Sequence, residues 1–327
     1  RGEASLSEFA ETLNLPVATT ISGQGSLPET HPNCVGVVGS NGGIEATRKI
    51  IDNADLVLFL SCRAGSVTTE RWSSPNHKTR ILHIDSDPMV ISANYPTEVG
   101  MVCDARLGLN ALNSALRKRG EISTEFRGKE RASVAKSEKA KYFAELSGSA
   151  VSPILPERLI ADLQKVLPED AVIVADPGTP CPYVSAYYEL PKAGRYFISN
   201  RAHGALGYSM PATIGAAFGR PNSKIVGIMG DGSFGFTAGE LETIVRCNVP
   251  VTLIVCSNST FGWIKAGQKA GFGERYFSVD FSRTRHAAVA EAFGVQGFRV
   301  EDPAELTKRM QTLWIVKKAN LPRGGFN

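Results

Sequence analysis

The chain has 327 residues, 43% of them apolar and 21% charged, with a net charge of +4. That length supports two domains with substantial cores, and so small a charge argues against a nucleic-acid surface. No apolar run approaches the roughly 20 residues needed to span a bilayer, so neither nucleic acid nor membrane is an expected partner. Cysteines at 34, 62, 103, 181, 247 and 256 show no Cys-x-x-Cys spacing. They read as reduced thiols of a cytoplasmic protein, not as a disulfide framework or a zinc site.

Residues 1–118 alternate helix-like and strand-like segments. Helical patterns fall at Ser5–Leu13, Ile44–Asn53 and Leu107–Arg117, and short apolar runs at Val17–Ile21, Val35–Val38, Leu56–Leu60 and Arg80–Ile84. Such alternation predicts a parallel sheet with helices on its faces. Residues 119–152 are polar apart from Tyr142, Phe143 and Leu146 and read as a linker with some helix. Their basic residues are interleaved with Glu121, Glu125, Glu130 and Glu138, the pattern of a solvated stretch.

From 153 to 327 a second α/β domain is predicted. Its elements are a helix at Glu157–Val166, a strand at Ala171–Ala175 and a strand near Arg195–Ser199. A helix at Pro211–Phe218, a strand at Ile225–Met229, a helix near Ala238–Arg246 and a strand at Val251–Val255 come next. A helix at Arg285–Phe293, a strand at Val295–Val300 and a last helix close the domain. The fold class is therefore α/β with two doubly wound parallel-sheet domains. Arg1 opens inside a mid-domain pattern, and Leu313-Trp314-Ile315-Val316 runs into a Lys- and Gly-containing tail. Both ends read as those of a fragment of a longer protein.

The sharpest feature is Gly230-Asp231-Gly232-Ser233, followed 27 positions after the Asp (258 − 231) by Asn258. Each closes an apolar run, so a carboxylate and an amide belong at the carboxyl ends of two parallel strands joined by a helix. Ligands collect at that edge. Mg²⁺ takes oxygen ligands, one or two from protein and others from phosphate, and glycines let backbone N–H groups approach a phosphate. A plain turn is the competing reading of Gly-Asp-Gly alone.

Other loops fall in the same setting. Asp176-Pro177-Gly178-Thr179 ends the strand before, and Gly204-Ala205-Leu206-Gly207-Tyr208 leads into the Pro211 helix. Phe261 to Gln268 follows Asn258, with Trp263 and Gln268 as pocket candidates; core or subunit interface competes for Trp263. His203 is a proton-transfer candidate, because histidine as a side-chain type changes charge near neutral pH, set against a structural role. In the first region Val38-Gly39-Ser40-Asn41-Gly42-Gly43 leads from strand to helix as a phosphate loop would, without Gly-x-Gly-x-x-Gly spacing. Asp85 closes a strand and is a nucleotide candidate.

The Gly-Asp-Gly…Asn pattern resembles the thiamine diphosphate-binding motif, although Ser257-Asn258 stands where that family often has two Asn. Together with the flanking blocks it makes the chain similar to the central and diphosphate-binding domains of acetolactate synthase-like enzymes. The resemblance implies metal ligation by Asp231, Asn258 and the main-chain oxygen of Thr260. It implies contacts to thiamine diphosphate from Asp176, Gly178, Thr179, Ala205, Gly230, Gly232, Ser233 and Phe261, with Leu206 wedged between the cofactor rings. The catalytic Glu of such enzymes lies in a pyrimidine-binding domain to which no segment here corresponds, so no catalytic residue is named and the isolated chain is expected to turn over little. The activity implied is decarboxylation of a 2-oxo acid such as pyruvate and ligation of the enamine to a second carbonyl, in a homodimer or homotetramer with Mg²⁺. Non-oxidative decarboxylation and a non-catalytic nucleotide-binding module are the alternatives. FAD binds the central domain of that branch; Arg63 is retained here, but Ser40-Asn41 replaces the Met-His of its turn, which counts against FAD.

Overall fold

The computed structural model describes residues 2–120 and 122–314. Its first region is built from α1 (Glu3–Leu13), β1 (Val17–Thr19), β2 (Cys34–Val37), α2 (Glu45–Asp52), β3 (Leu56–Leu60), β4 (Arg80–Asp85), β5 (Val99–Val102) and α3 (Ala105–Arg119). Local chemistry sets several of these ends. Asp104 accepts hydrogen bonds from the Arg106 and Leu107 amides and starts α3, whose last turn carries Arg117, Lys118 and Arg119, as capping and the helix dipole favour. Asn14 takes a left-handed conformation (φ 50°) and closes α1, a common C-terminal device. All pairings are parallel, but they form two sheets, β1-β2 and β3-β4-β5.

The polar stretch after α3 contains α4 (Gly128–Ser147), a 20-residue helix. Ala132 and Ala135 are buried on it and pack with Val35 and Ala46 of β2 and α2. Small side chains let a mostly charged helix lie close on the sheet, which is why composition alone reads as linker.

The second region runs α5 (Pro156–Val166), β6 (Val172–Ala175), α6 (Pro180–Tyr187), β7 (Phe197–Ile198), α7 (Ser209–Gly219), β8 (Ile225–Gly230), α8 (Asp231–Thr237), α9 (Glu240–Arg246), β9 (Thr252–Cys256), α10 (Gly262–Gly271), α11 (His286–Ala292) and α12 (Pro303–Trp314). Its sheet is parallel with order β7-β6-β8-β9. β6 is buried at all four positions, the continuous apolar run that a strand covered on both faces requires. One core lies between the sheet and α5, α6 and α12, around Ile173, Val226 and Leu163. The other lies under α7 and α9, around Val174, Met210 and Met229. Gly227 permits the close approach of α7, since a Cβ there would stand 2.5 Å from Thr213 Oγ1.

One expected strand does not form. Residues 295–300 make no sheet ladder; Val295 and Val300 pack into the two cores. The backbone lies against α11, where a Cβ on Gly297 would meet the Ala287 carbonyl oxygen at 2.4 Å. Alternating side chains were accommodated without a hydrogen-bonding neighbour. The Ile315–Val316 run and the tail after it lie outside the described residues.

Candidate cofactor site

Three strand tips meet where the order of the second sheet reverses, between β6 and β8. Crevices for ligands open at the carboxyl ends of parallel strands at such a reversal. The tips carry Asp176 after β6, Asp231 after β8 and Asn258 after β9.

Asp231 is 5% exposed, and its two oxygens are used differently. Oδ2 accepts from the Asn258 amide at 2.8 Å, the Ser259 amide at 2.6 Å and Ser257 Oγ at 3.2 Å. Among the described residues Oδ1 accepts only from the Gly232 amide, at 2.9 Å, which leaves it acceptor capacity. The tip of β9 thus grips the carboxylate by one oxygen and leaves the other with acceptor capacity to spare. Ser259 adopts a left-handed conformation (φ 58°), which lets two successive amides turn on one oxygen; strain of this kind concentrates at functional sites. Asn258 is exposed, and its Oδ1 accepts from the Thr260 amide at 3.2 Å. The Thr260 carbonyl accepts from Gly262 at 2.9 Å. Thr260 Oγ1 donates to Val279 O, and the Phe261 amide donates to the same oxygen, so the tip is fixed on both sides. A carboxylate, a carboxamide oxygen and a main-chain carbonyl on adjoining tips form a hard, all-oxygen donor set of the kind Mg²⁺ takes. The residues present fit the metal.

Asp176 departs from its expected role as a ligand contact. It is fully buried. Oδ2 accepts from the Gly207 amide at 3.0 Å and from the Ser209 amide and hydroxyl at 3.2 Å. Oδ1 accepts from Ser233 Oγ at 2.7 Å. Asp176 therefore ties together the loop holding Leu206, the first turn of α7 and the first turn of α8. The Ser233 hydroxyl is spent on that tie and is equally inward.

The glycines record how closely the tips approach. A Cβ on Gly178 would touch Leu206 Cδ2 at 3.2 Å, so Leu206 lies against the 176–179 loop. A Cβ on Gly232 would collide with the Phe261 ring at 2.4 Å, so Phe261 lies on the start of α8. Gly262 has both Asn258 Nδ2 and Thr179 Oγ1 at 3.4 Å from its Cβ position, which brings the tips of β6 and β9 together. Beside Gly230 the space is open. Gly178, Thr179, Leu206, Gly230, Asp231, Gly232, Ser233, Asn258, Thr260 and Phe261 all line one large cleft, which also runs along β9 as far as Pro221–Lys224 at the other end of the sheet. Ala205 is exposed and stands outside that lining.

Several residues escaped the sequence reading. Ser257 and Ser259 flank Asn258, and their supporting role was signalled only by the turn-forming character of Ser-Asn-Ser. His286 also borders the cleft, its ring edge-on to Phe234 at 5.2 Å. Burial lowers its pKa, opposed by the nearby Asp231 charge. Burial and, behind it, Asp231 push the Cys256 thiol up to about 12, so it is a protonated wall. Gln268, by contrast, is engaged away from any ligand, clamping Phe277 through both backbone groups at 3.1 and 3.0 Å. Trp263 is half exposed at the cleft edge, and His203 is exposed on the loop before Leu206.

The first region's tips are closed by comparison. The Ser40 amide donates to Val67 O at 2.9 Å and the Gly43 amide to Gly39 O at 2.9 Å. Cβ atoms on Gly39 and Gly43 would strike backbone at 2.4 and 2.5 Å, and one on Gly42 would strike Ser185 Cβ at 2.7 Å. Asp85 is buried and accepts from the Asp87 amide. The glycines of this turn are thus packed against the chain itself, while a small cavity lined by Val38, Gly39, Arg48, Thr68 and Glu70 lies beside it.

The thiamine pyrophosphate enzyme C-terminal TPP binding domain matches residues 176–320, and the thiamine pyrophosphate enzyme central domain matches residues 1–112. The protein named "Probable acetolactate synthase large subunit" in Methanocaldococcus jannaschii is 30% identical over 94% of this chain and 52% of its own length. The acetolactate synthase large subunit of Haemophilus influenzae is 27% identical, covering 95% and 54%. The acetolactate synthase isozyme 3 large subunit of Escherichia coli is 28% identical, covering 93% and 53%. The chain spans about half the length of the curated relatives it matches. With the central and the TPP-binding units matched in consecutive order, the chain belongs to the thiamine pyrophosphate enzymes.

Proposed function

We propose that residues 153–327 bind thiamine diphosphate through Mg²⁺, and that the full-length protein is a 2-oxo acid carboligase. The observation that carries this is the two-sided use of Asp231, one oxygen held by the β9 tip and the other, bonded to the Gly232 amide, with acceptor capacity left. Asp231, Asn258 Oδ1 and the Thr260 carbonyl would hold the metal, and through it the diphosphate. Gly178, Thr179 and Gly232 would lie along the cofactor. Leu206, resting on the Gly178 loop, would keep its rings bent. When bound, thiamine diphosphate supplies a nucleophilic carbon and an electron sink for loss of CO₂.

The chain's own residues do the rest. Asp176 fixes the Leu206 loop and the start of α8 in one arrangement, the preorganisation that positioning demands. Phe261, packed with Phe236 and Phe281, would exclude water from one side. Pyruvate is the proposed donor substrate, with a second carbonyl compound as acceptor. Residues 1–118 form the proposed central domain, 119–152 the connection, and a homodimer or homotetramer in the cytoplasm the working form.

Calorimetry on the full-length protein tests the site. Asp231→Ala should weaken thiamine diphosphate binding in Mg²⁺ by at least about 100-fold, since even groups that only support metal ligands cost 10–100-fold. Unchanged affinity would rule out the assignment. With pyruvate alone, acetolactate is the expected product, and acetaldehyde instead would indicate simple decarboxylation.

A further inference from the structure

Arg201 sits on the exposed stretch between β7 and α7, yet its guanidinium turns inward between the two regions. Nη1 donates to the Pro177 carbonyl at 2.5 Å, in the middle of the loop that carries Gly178 and Thr179. On the other side is Asn41, 8% exposed. Its carboxamide satisfies both neighbours when the nitrogen donates to Ser40 O at 3.2 Å and the oxygen accepts from Arg201 Nη2. One planar group thus joins the first region's glycine turn to the cofactor loop, and a fork of fixed donors suits such a bridge better than a lysine would. The same turn meets α6 directly, where a Cβ on Gly42 would clash with Ser185 Cβ at 2.7 Å. Gln24 Nε2 adds a bond to Ser185 O at 3.2 Å. Gly42 of the turn thereby admits α6, and Gly39 admits the Val67–Thr68 backbone at 2.4 Å from its Cβ position.

We propose that Arg201 is a positioning residue, linking the Gly39–Gly43 turn to the Pro177 carbonyl so that the first region braces the thiamine diphosphate loop in place of binding a nucleotide. The inference rests on the cofactor site proposed above. Loosening the brace leaves the metal ligands intact but lets the 176–179 loop move, so the cost falls on cofactor affinity. Asn41 and Arg201 act through one bridge, so their effects should not add.

The test uses the full-length protein and titrates thiamine diphosphate in saturating Mg²⁺. Arg201→Met should weaken binding about 10–100-fold, as removal of a supporting partner does. Turnover at saturating cofactor should stay close to the parent's. Arg201→Lys should restore part of the affinity, Asn41→Ala should lose about 3–10-fold, within the coupling range of contacting residues, and the double variant should be no worse than Arg201→Met. Added FAD should show no fluorescence quenching. Wild-type affinity in Arg201→Met, additive losses, a loss confined to turnover, or tight FAD binding would each overturn the inference. Should Arg201→Met not fold, Arg201→Lys and Asn41→Ala give the same readout. Asp231→Ala separates the two ideas: with its binding abolished and Arg201→Met unaffected, only the brace fails. With Asp231→Ala itself unaffected, the cofactor site fails.

Discussion

Both regions place glycines and a carboxylate at the carboxyl ends of parallel strands, yet they use them differently. At the first region's tips the backbone amides of Ser40 and Gly43 bond within the chain, and the glycine space is filled by Val67, Thr68 and Ser185. At the second region's tips Gly230 faces open space, and Asp231 has Oδ2 held by the Asn258 and Ser259 amides while Oδ1 keeps acceptor capacity. The lesson is that a glycine-rich strand end is a permission for close approach, and tertiary packing decides what approaches. A strand-end carboxylate becomes a ligand only when its neighbours satisfy one oxygen and leave the other.

The sharpest way to break this contrast is to remove one carboxylate from each region. Asp176→Ala strands four donors in a fully buried site. With each stranded group costing about 1–3 kcal/mol, we expect a loss of at least about 4 kcal/mol. At ~2–4 °C per kcal/mol for a domain of this size, thermal unfolding should fall by roughly 10 °C, or the variant should fail to accumulate. Asp85→Ala loses one bond, should cost about 1 kcal/mol, and should leave thiamine diphosphate affinity unchanged. Equal losses in the two variants would erase the distinction between the regions.

A smaller effect is expected at Gly232. Its Cβ would lie 2.4 Å from the Phe261 ring, so Gly232→Ala should cost about 1–3 kcal/mol, as overpacking does. It should also weaken cofactor binding by moving the ring, and Phe261→Leu in the same chain should recover much of the loss. An additive double variant, measured by denaturation, would show that the ring is not the obstacle.

The smallest effect sharpens the seam between the regions. Glu29 is 4% exposed; it accepts from Gln24 Nε2 at 2.9 Å and the Leu190 amide at 3.0 Å. Burial raises its pKa above 4.5, Lys139 opposing. The native state therefore holds this proton longer than the unfolded chain does. Stability is untouched below the unfolded value, then falls as pH rises from about 4.5 through the raised value. Glu29→Gln should flatten that fall in a series of unfolding curves, and an unchanged pH slope would contradict the burial.

Much of this was legible in the chain. The period-2 and period-3.6 patterns placed β3, β8 and α5 closely, because continuous apolar runs and amphipathic helices are local consequences of burial. The pairing of Asp231 with Asn258 was visible for the same reason, each standing at the end of such a run. α4 was read only as some helix within a linker, since two buried alanines among charges leave little apolar signal. Residues 295–300 misled in the opposite sense, presenting strand alternation without a partner strand. Asp176 read as a ligand contact because its position at a strand tip is evident from sequence, whereas the four donors that enclose it come from residues 207–233.

The order of residues by itself determined the parallel α/β architecture and the oxygen atoms at the tips of β8 and β9, because both follow from patterns within a single strand-helix-strand unit. Which carboxylate faces the cleft, which is buried as a tie, and which glycine turn is closed by Arg201 and Ser185 was decided only on folding. Those outcomes depend on donors that lie tens to more than a hundred residues apart in the chain and meet only when the sheets are packed.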